Sequence, residues 1–180
     1  MIERILAQRY ASALYEAARA QTLEVKIHEQ TVTLLSLIRS NPDLALFLKH
    51  PRLKENMQQE IVKTLFKKNF DHLFIQFLNL MIQKKRLAII EPVCEAFENI
   101  YFQKNNIMKA KITSAVMLSE SQLKKLTQKL ENKFQKKIIP EMSVDSKLLG
   151  GFKINIKETI MDYSLSGQLD EFYRRIIHAH

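Results

Sequence analysis

Side chains that could carry out catalysis or bind a metal are few and widely separated in this 180-residue sequence. The five histidines are His28, His50, His72, His178 and His180, and no cysteine stands near the last two. A zinc site needs four closely grouped ligands, so His178 and His180 are interpreted as solvated terminal residues. No carboxylate pair and no nucleophile–base set stands out either. The sequence therefore predicts neither a catalytic site nor a bound metal.

The single cysteine and the one glycine pair also lack the surroundings of a reactive or cofactor site. Cys94 lies beside Val93 in an apolar helical pattern, which favours a small core residue. Gly150 and Gly151 stand between strand-like segments, with no helix following to direct amides at a phosphate. The sequence contains no phosphate-binding glycine motif elsewhere. We therefore expect no cofactor, and a protein that is not an enzyme.

The formal charge of +9 is the one feature that suggests a polyanionic partner. Six lysines cluster on one predicted helix and its exit: Lys124, Lys125, Lys129, Lys133, Lys136 and Lys137. A solvated helix face, an acidic protein partner and a nucleic acid are all compatible with this cluster. Only Phe134 interrupts it with an aromatic ring, whereas base-stacking proteins interleave several. Nucleic-acid binding is therefore kept as the alternative function.

The opening of the chain does not resemble a secretory signal, because Glu3, Arg4 and Arg9 interrupt any apolar core region. No apolar run approaches the ~20 residues that a membrane-spanning helix needs. We expect a cytoplasmic protein whose membrane association, if it has one, is indirect and involves no insertion.

Six amphipathic helices are predicted before residue 105, because apolar side chains recur there at spacings of three and four. Scarce glycine and proline favour such long helices over a sandwich of short strands. Ser40-Asn41-Pro42 and His50-Pro51 mark stops. The predicted segments are 2–20, 23–38, 42–49, 54–66, 71–83 and 87–103. Helices joined by such brief turns predict a six-helix bundle over residues 1–104.

Beyond a junction at 104–106, the period of the pattern changes. Met108, Ala110 and Ile112 alternate with lysines and predict a half-buried strand over 108–116. Ser119 and Gln122 form a capping-box pattern that begins a helix. Further strands are predicted over 138–145, 151–156 and 159–163, with a tight turn at 157–158 and a last helix over 164–177. The fold class is thus mainly α, with a small α/β C-terminal domain over residues 105–180.

Two segments resemble signatures of the delta subunit family of the F-type ATP synthase, called OSCP in mitochondria. Near the start, Arg9 to Leu14 followed by Ala17 resembles the opening "RYAxAL" motif of that family. Near the end, Leu149-Gly150-Gly151, then Asp162-Tyr163-Ser164 and Leu169, resembles its "liGGxxI…DxSixgxL" region. The sequence departs from the family pattern in two places. Ile156-Lys157-Glu158 stands where the family usually has a glycine-containing turn, and Tyr163 stands where a small residue is common. The resemblance covers essentially the whole chain.

This resemblance implies a non-catalytic peripheral-stalk (stator) subunit at the cytoplasmic face of the bacterial inner membrane. It implies that the helical bundle binds the catalytic head by holding the N-terminal helix of an alpha subunit between its first and fifth helices. It implies that the C-terminal domain binds the C-terminal ends of the b subunits. The partner-binding residues expected on that basis are Tyr10, Ala13, Leu14, Ala17, Phe77, Leu80 and Met81. Structural roles in a turn and a helix cap are expected for Gly150, Gly151, Asp162 and Ser164.

Overall fold

The computed structural model of the protein describes residues 2–49, 53–157 and 159–177. The chain divides into two compact units, Met1–Lys104 and Asn105–His180. The first unit is helical, and the second contains a four-stranded mixed sheet. The predicted break at His50-Pro51, the residue Glu158 of the predicted turn, and the terminal His178 and His180 lie outside the described residues.

The described part of the first unit contains six α-helices and one short 3-10 turn. They are α1 (Ile2–Ala20), α2 (Glu24–Ser40), α3 (Pro42–Lys49), α4 (Glu55–Phe66), α5 (His72–Gln83), the 3-10 turn (Leu87–Ile89) and α6 (Ile90–Lys104). Helix α1 packs chiefly against α6, and α5 packs against α4. The predicted helices are confirmed to within a few residues at their ends, except at the start of the sixth.

The sixth helix begins later than its apolar pattern predicts because Pro92 lies in its first turn. Proline has no amide hydrogen, and its ring collides with the carbonyl group four residues earlier, here that of Ala88. An α-helix therefore cannot continue backward through this position. The chain instead forms the tighter 3-10 turn, which buries Leu87 and Ile89.

A ladder of aromatic rings runs through the core of the first unit. Phe66 and Phe70 meet edge to face at 4.9 Å, and Phe70 stacks on Phe74 at 5.5 Å. Phe74 lies 6.3 Å from Phe77, whose ring meets Tyr10 edge to face at 6.4 Å. Such ring pairs add about 0.5–1.5 kcal/mol each beyond the area they bury. We call these five rings the aromatic ladder; it joins α4 and α5 to α1.

The second unit is built on the sheet β2-β1-β3-β4. Its described elements are β1 (Ile107–Ser114), α7 (Glu120–Phe134), β2 (Lys137–Val144), β3 (Gly151–Ile156), β4 (Thr159–Ser164) and α8 (Leu165–Ile177). Strand β1 pairs with β2 in parallel, across the crossover helix α7, and with β3 antiparallel. The edge strand β2 contains Pro140, which is in register with Ala110. The core of this unit contains the sheet residues Ala110, Ile112, Ile138, Ile154 and Ile156, together with Leu130 of α7.

Local capping residues set where α7 begins and ends. The Ser119 hydroxyl accepts a hydrogen bond from the Gln122 amide, and the Gln122 side chain accepts one from the Ser119 amide, so the predicted capping box is confirmed. Gln135 ends the helix in the left-handed conformation, with φ 52°. Lys157 has a similar φ of 53° after β3, a conformation that glycine adopts more readily than other residues.

Candidate functional site: a groove between α1 and α5

An open apolar groove of about 480 Å³ lies between α1 and α5. Six of the seven predicted partner-binding residues line it: Tyr10, Ala13, Leu14, Ala17, Phe77 and Leu80. Ala13 and Leu80 are exposed, whereas Leu14 and Phe77 are buried at the base. The groove therefore has a buried floor, which includes Leu14 and Phe77, and solvent-accessible walls, which include Ala13 and Leu80.

The groove exists because α1 presents small side chains where it faces α5. Ala13 and Ala17 are one helical turn apart, and each contributes only a methyl group to the wall. Contact across the floor is made by Tyr10 and Phe77, the last pair of the aromatic ladder. Because α1 is held mainly by α6 and α5 mainly by α4, the two helices leave space above that contact.

The seventh predicted residue, Met81, is placed elsewhere. Its side chain is 0% exposed and belongs to the core of the first unit rather than to the groove lining. Sequence reasoning also omitted four lining residues: Leu6, Arg9, Leu73 and Gln76. Leu6 precedes Tyr10 by four positions and Leu73 precedes Phe77 by four, so helical spacing alone could have identified both.

The start of α5 is fixed by a charged cap. The Asp71 carboxylate accepts a hydrogen bond from the Leu73 amide at 2.9 Å and pairs with Lys26 of α2 at 2.8 Å. The bond from Lys26, followed by that from the Leu73 amide, lowers the pKa of Asp71. The cap ties the groove wall that contains Leu73 to α2. Arg9 and Gln76 add polar groups to a lining that is otherwise apolar, apart from the hydroxyl of Tyr10.

The described residues contain no group of three or more ligating side chains that could hold a metal ion. Cys94 is buried, and that burial raises the pKa of its thiol, so the reactive thiolate is disfavoured. His28 is stacked flat against Tyr101 at 4.1 Å. In other proteins, grooves lined mainly by apolar side chains accommodate amphipathic helices.

The second unit contains the turn and cap residues that the sequence singled out. Ser164 accepts a hydrogen bond from the Gly167 amide at 3.1 Å and thereby caps α8. Asp162 accepts bonds from the Ser164 hydroxyl and amide, and pairs with Lys153 at 2.9 Å. Gly151 has a φ of 79°, so its backbone is in a region that side chains disfavour. Gly167 was not identified from the sequence; a Cβ there would lie 2.7 Å from the Asp162 carboxyl carbon.

We expect the stability of the second unit to depend on the charge of Asp162. Hydrogen bonds from the Ser164 hydroxyl and amide, together with Lys153, lower the pKa of Asp162. The stabilisation is present above the unfolded-state pKa of about 3.9 and is lost as the pH falls through the lower folded-state value. Asp162→Asn should therefore be less stable than the wild type at about pH 7, by a margin that shrinks toward about pH 2. Urea unfolding at both pH values measures the difference in stability between the variant and the wild type. An equal loss of stability at both pH values would contradict a stabilising role for the charge of Asp162.

Exposed apolar side chains lie on α8 and beside it: Leu149, Leu165, Leu169, Phe172 and Tyr173. Leu165 donates its amide to the Gly150 carbonyl at 3.0 Å, which places the start of α8 against the glycine pair. Large apolar groups on one helix that remain in water are a feature of partner-binding surfaces. The lysines of α7 at 124, 125, 129 and 133 are exposed as well, and Phe134 is half-buried.

Comparisons with known proteins agree on one family. The ATP synthase delta (OSCP) subunit family matches residues 6–176. The ATP synthase subunit delta of Clostridium botulinum, strain Kyoto, is 31% identical over 172 residues, which is 96% of each chain. That of Clostridium perfringens, strain SM101, is 28% identical over 92% of this chain and 93% of its own. A chain of the Toxoplasma gondii mitochondrial ATP synthase hexamer has the same fold, with a TM-score of 0.73, 18% identity, and coverage of 96% of this chain and 97% of that one.

Among the described residues, no helix has the length and apolar character needed to cross a bilayer.

Proposed function

Because this chain belongs to the ATP synthase delta (OSCP) subunit family, we propose that it links the alpha/beta catalytic head to the membrane-anchored b subunits. As a member of that family it is a structural subunit and not a catalytic one. In this proposal the six helices of residues 1–104 act as a bundle that binds the head. Residues 105–180 bind the stalk. The protein works at the cytoplasmic face of the bacterial inner membrane, peripheral to the bilayer.

The observation that supports this function best is the groove between α1 and α5. The groove lining extends from Leu6 to Ala17 on α1 and from Leu73 to Leu80 on α5. A groove of this length suits a single amphipathic helix. The N-terminal helix of an alpha subunit is the proposed occupant. Its apolar anchors would contact Tyr10, Ala13 and Leu80, and an acidic side chain at its edge would meet Arg9. Met81 supports this site only through the packing of α5.

The mechanical task explains why a bound helix suits the role. Rotation of the central rotor applies torque to the head, and the stator must hold the head without detaching. Resistance to that load requires a slow dissociation rate, which comes from large, well-packed apolar contacts. No reactive group is needed at any step. A groove with a rigid floor keeps its shape under such load because packed cores have low compressibility.

The second unit offers a different surface to the stalk. The exposed side chains of α8, Leu165, Leu169 and Phe172, form the apolar surface that we assign to the C-terminal ends of the b subunits. Nucleic-acid binding has no comparable support. The lysines of α7 lack interleaved aromatic rings other than Phe134, which packs against the core of the sheet.

Leu80→Ala and Tyr10→Ala are expected to weaken binding of a synthetic peptide comprising the ~20 N-terminal residues of the cognate alpha subunit. Each change removes a side chain that lines the groove, so we expect Kd to rise by about tenfold, the loss typical of a buried interface anchor. Calorimetric titration of the folded variants measures the effect, and the wild type should bind one peptide per chain.

Leu65→Ala is the matched control, because Leu65 on α4 is 52% exposed, much like Leu80 at 41%, but lies outside the groove. Its Kd should equal that of the wild type. A correctly folded wild type that fails to bind the peptide, or a Leu65 variant that loses as much affinity as Leu80→Ala, would refute the groove as the head-binding site.

A further inference from the structure

A second cavity in the helical unit is separate from the α1–α5 groove and shares no lining residue with it. It has a volume of about 420 Å³ and lies between α2, α3 and α4. Its apolar walls include Leu37, Leu44, Leu65, Phe66 and Phe70. Sites for small organic ligands typically have volumes of about 300–1,000 Å³ and mostly apolar walls with a few polar groups.

One polar group in this cavity wall has no partner. Gln30 lines the cavity and is only 7% exposed, yet its Oε1 is buried and accepts no hydrogen bond within the described part of the chain. Its neighbour Thr31, which is also buried, donates its hydroxyl to the His28 carbonyl at 2.7 Å. Among the described residues, buried side-chain atoms of Glu24, His28 and Asn79 also have no hydrogen-bond partner, but of these four residues only Gln30 lines this cavity. A buried polar atom without a partner calls for an explanation, and a ligand in the cavity supplies one.

We propose that this cavity is a binding site for a small, flat apolar molecule that carries one hydroxyl or amine donor. Phe66 and Phe70 supply aromatic surface at one wall, and Leu37 and Leu65 lie exposed at the mouth. The donor of the ligand binds Gln30 Oε1, which reaches the cavity by rotation about the terminal torsion, a soft degree of freedom. The site goes beyond the stator function, because nothing in that function uses a small molecule.

The observations favour a small molecule over a partner helix. A helix lying along the mouth of the cavity has no main-chain donor to offer a buried acceptor, because its amides beyond the first turn bond internally. Gln30 lies below the exposed rim, where a compact ligand reaches it more readily than a helix seated across Leu37 and Leu65 does. A ligand with an apolar ring and one donor packs against the apolar walls and donates a hydrogen bond to Gln30 Oε1.

The test uses 2-naphthol as the probe and 2-methylnaphthalene as its isosteric control, with the full-length protein. The chain has no tryptophan, so naphthyl fluorescence can be read with little protein background. We expect saturable 2-naphthol binding with a Kd about fivefold lower than that of 2-methylnaphthalene, the preference that one net hydrogen bond gives. Gln30→Leu should reverse the preference and bind 2-methylnaphthalene more tightly, because the hydroxyl of 2-naphthol is then buried without a partner. The Tm of this variant without probe should rise by about 4 °C because a buried unpaired acceptor is removed.

Two further variants locate the probe. Leu37→Lys, at the exposed mouth, should abolish 2-naphthol binding, while Leu80→Lys, in the α1–α5 groove, should leave it unchanged. The reverse result would place the probe in the groove and overturn the proposal. The absence of saturable binding would overturn it too, as would equal affinity of the wild type for both probes or a Gln30→Leu variant with a lowered Tm.

Discussion

Gly151→Ala is expected to lower the free energy of unfolding of the second unit by about 3 kcal/mol. The residue begins β3 with a φ of 79°, a conformation that costs any other residue strain energy. A Cβ there would lie 2.2 Å from the Tyr163 carbonyl oxygen and 2.9 Å from the Ser164 Cα. Both are backbone atoms of the paired strand β4, so they cannot move aside without breaking the pairing.

Hydrogen exchange of the β3 and β4 amides measures this loss within the second unit, because exchange from a folded element reports its local opening free energy. Gly150→Ala is the matched control. A Cβ on Gly150 would meet only the side chain of Leu165, which is half-exposed and can rotate away. We therefore expect a cost below about 1 kcal/mol there. Equal effects of the two changes would contradict the conformational explanation.

Phe74→Ala is expected to destabilise the first unit by about 3–5 kcal/mol, the cost of deleting a fully buried aromatic ring from a packed core. Phe74 is 0% exposed and forms the centre of the aromatic ladder, between Phe70 and Phe77. Because Phe77 and Tyr10 form the groove floor, we also expect weaker binding of the alpha-subunit peptide. Urea unfolding followed by circular dichroism measures the stability change.

Phe74→Leu separates the loss of volume from the loss of the ring. It fills most of the space, so its cost should be clearly smaller than that of Phe74→Ala. If both variants were as stable as the wild type, Phe74 would not contribute to the stability of this core as proposed. If Phe74→Ala unfolded as expected but bound peptide normally at low temperature, the floor of the groove would not depend on the ladder.

Periodic patterns in the sequence identified nearly every element of the fold. The three- and four-residue spacing in 2–20 and the alternation of Met108, Ala110 and Ile112 each correspond to an observed helix or strand. Elements of this kind are dictated by which side chains must be buried, and that information is local. The start of α6 was predicted too early because the apolar pattern continues through Leu87, whereas the backbone restriction comes from Pro92.

The family resemblance predicted most of the groove-lining residues that were named. Helical spacing did not predict which apolar residues of α5 are exposed in the groove and which are buried beneath it. Leu80 and Met81 are adjacent apolar residues of α5, yet one is 41% exposed in the groove and the other is fully buried. A periodic pattern shows which residues are apolar but does not assign each of them to core or surface. The cavity at Gln30 could not be predicted at all, since it requires α2, α3 and α4 to meet around an acceptor.

The position of Pro140 in the edge strand β2 has a consequence for the behaviour of the free subunit. An exposed sheet edge offers unpaired amides and carbonyls to any other extended chain, which is a route to aggregation. Proline has no amide hydrogen to offer at its position, and it occurs in sheets almost only at such edges. A strand arriving at β2 would meet an interrupted row of donors midway along it. We therefore expect Pro140 to disfavour edge-to-edge polymerisation of the free subunit through β2.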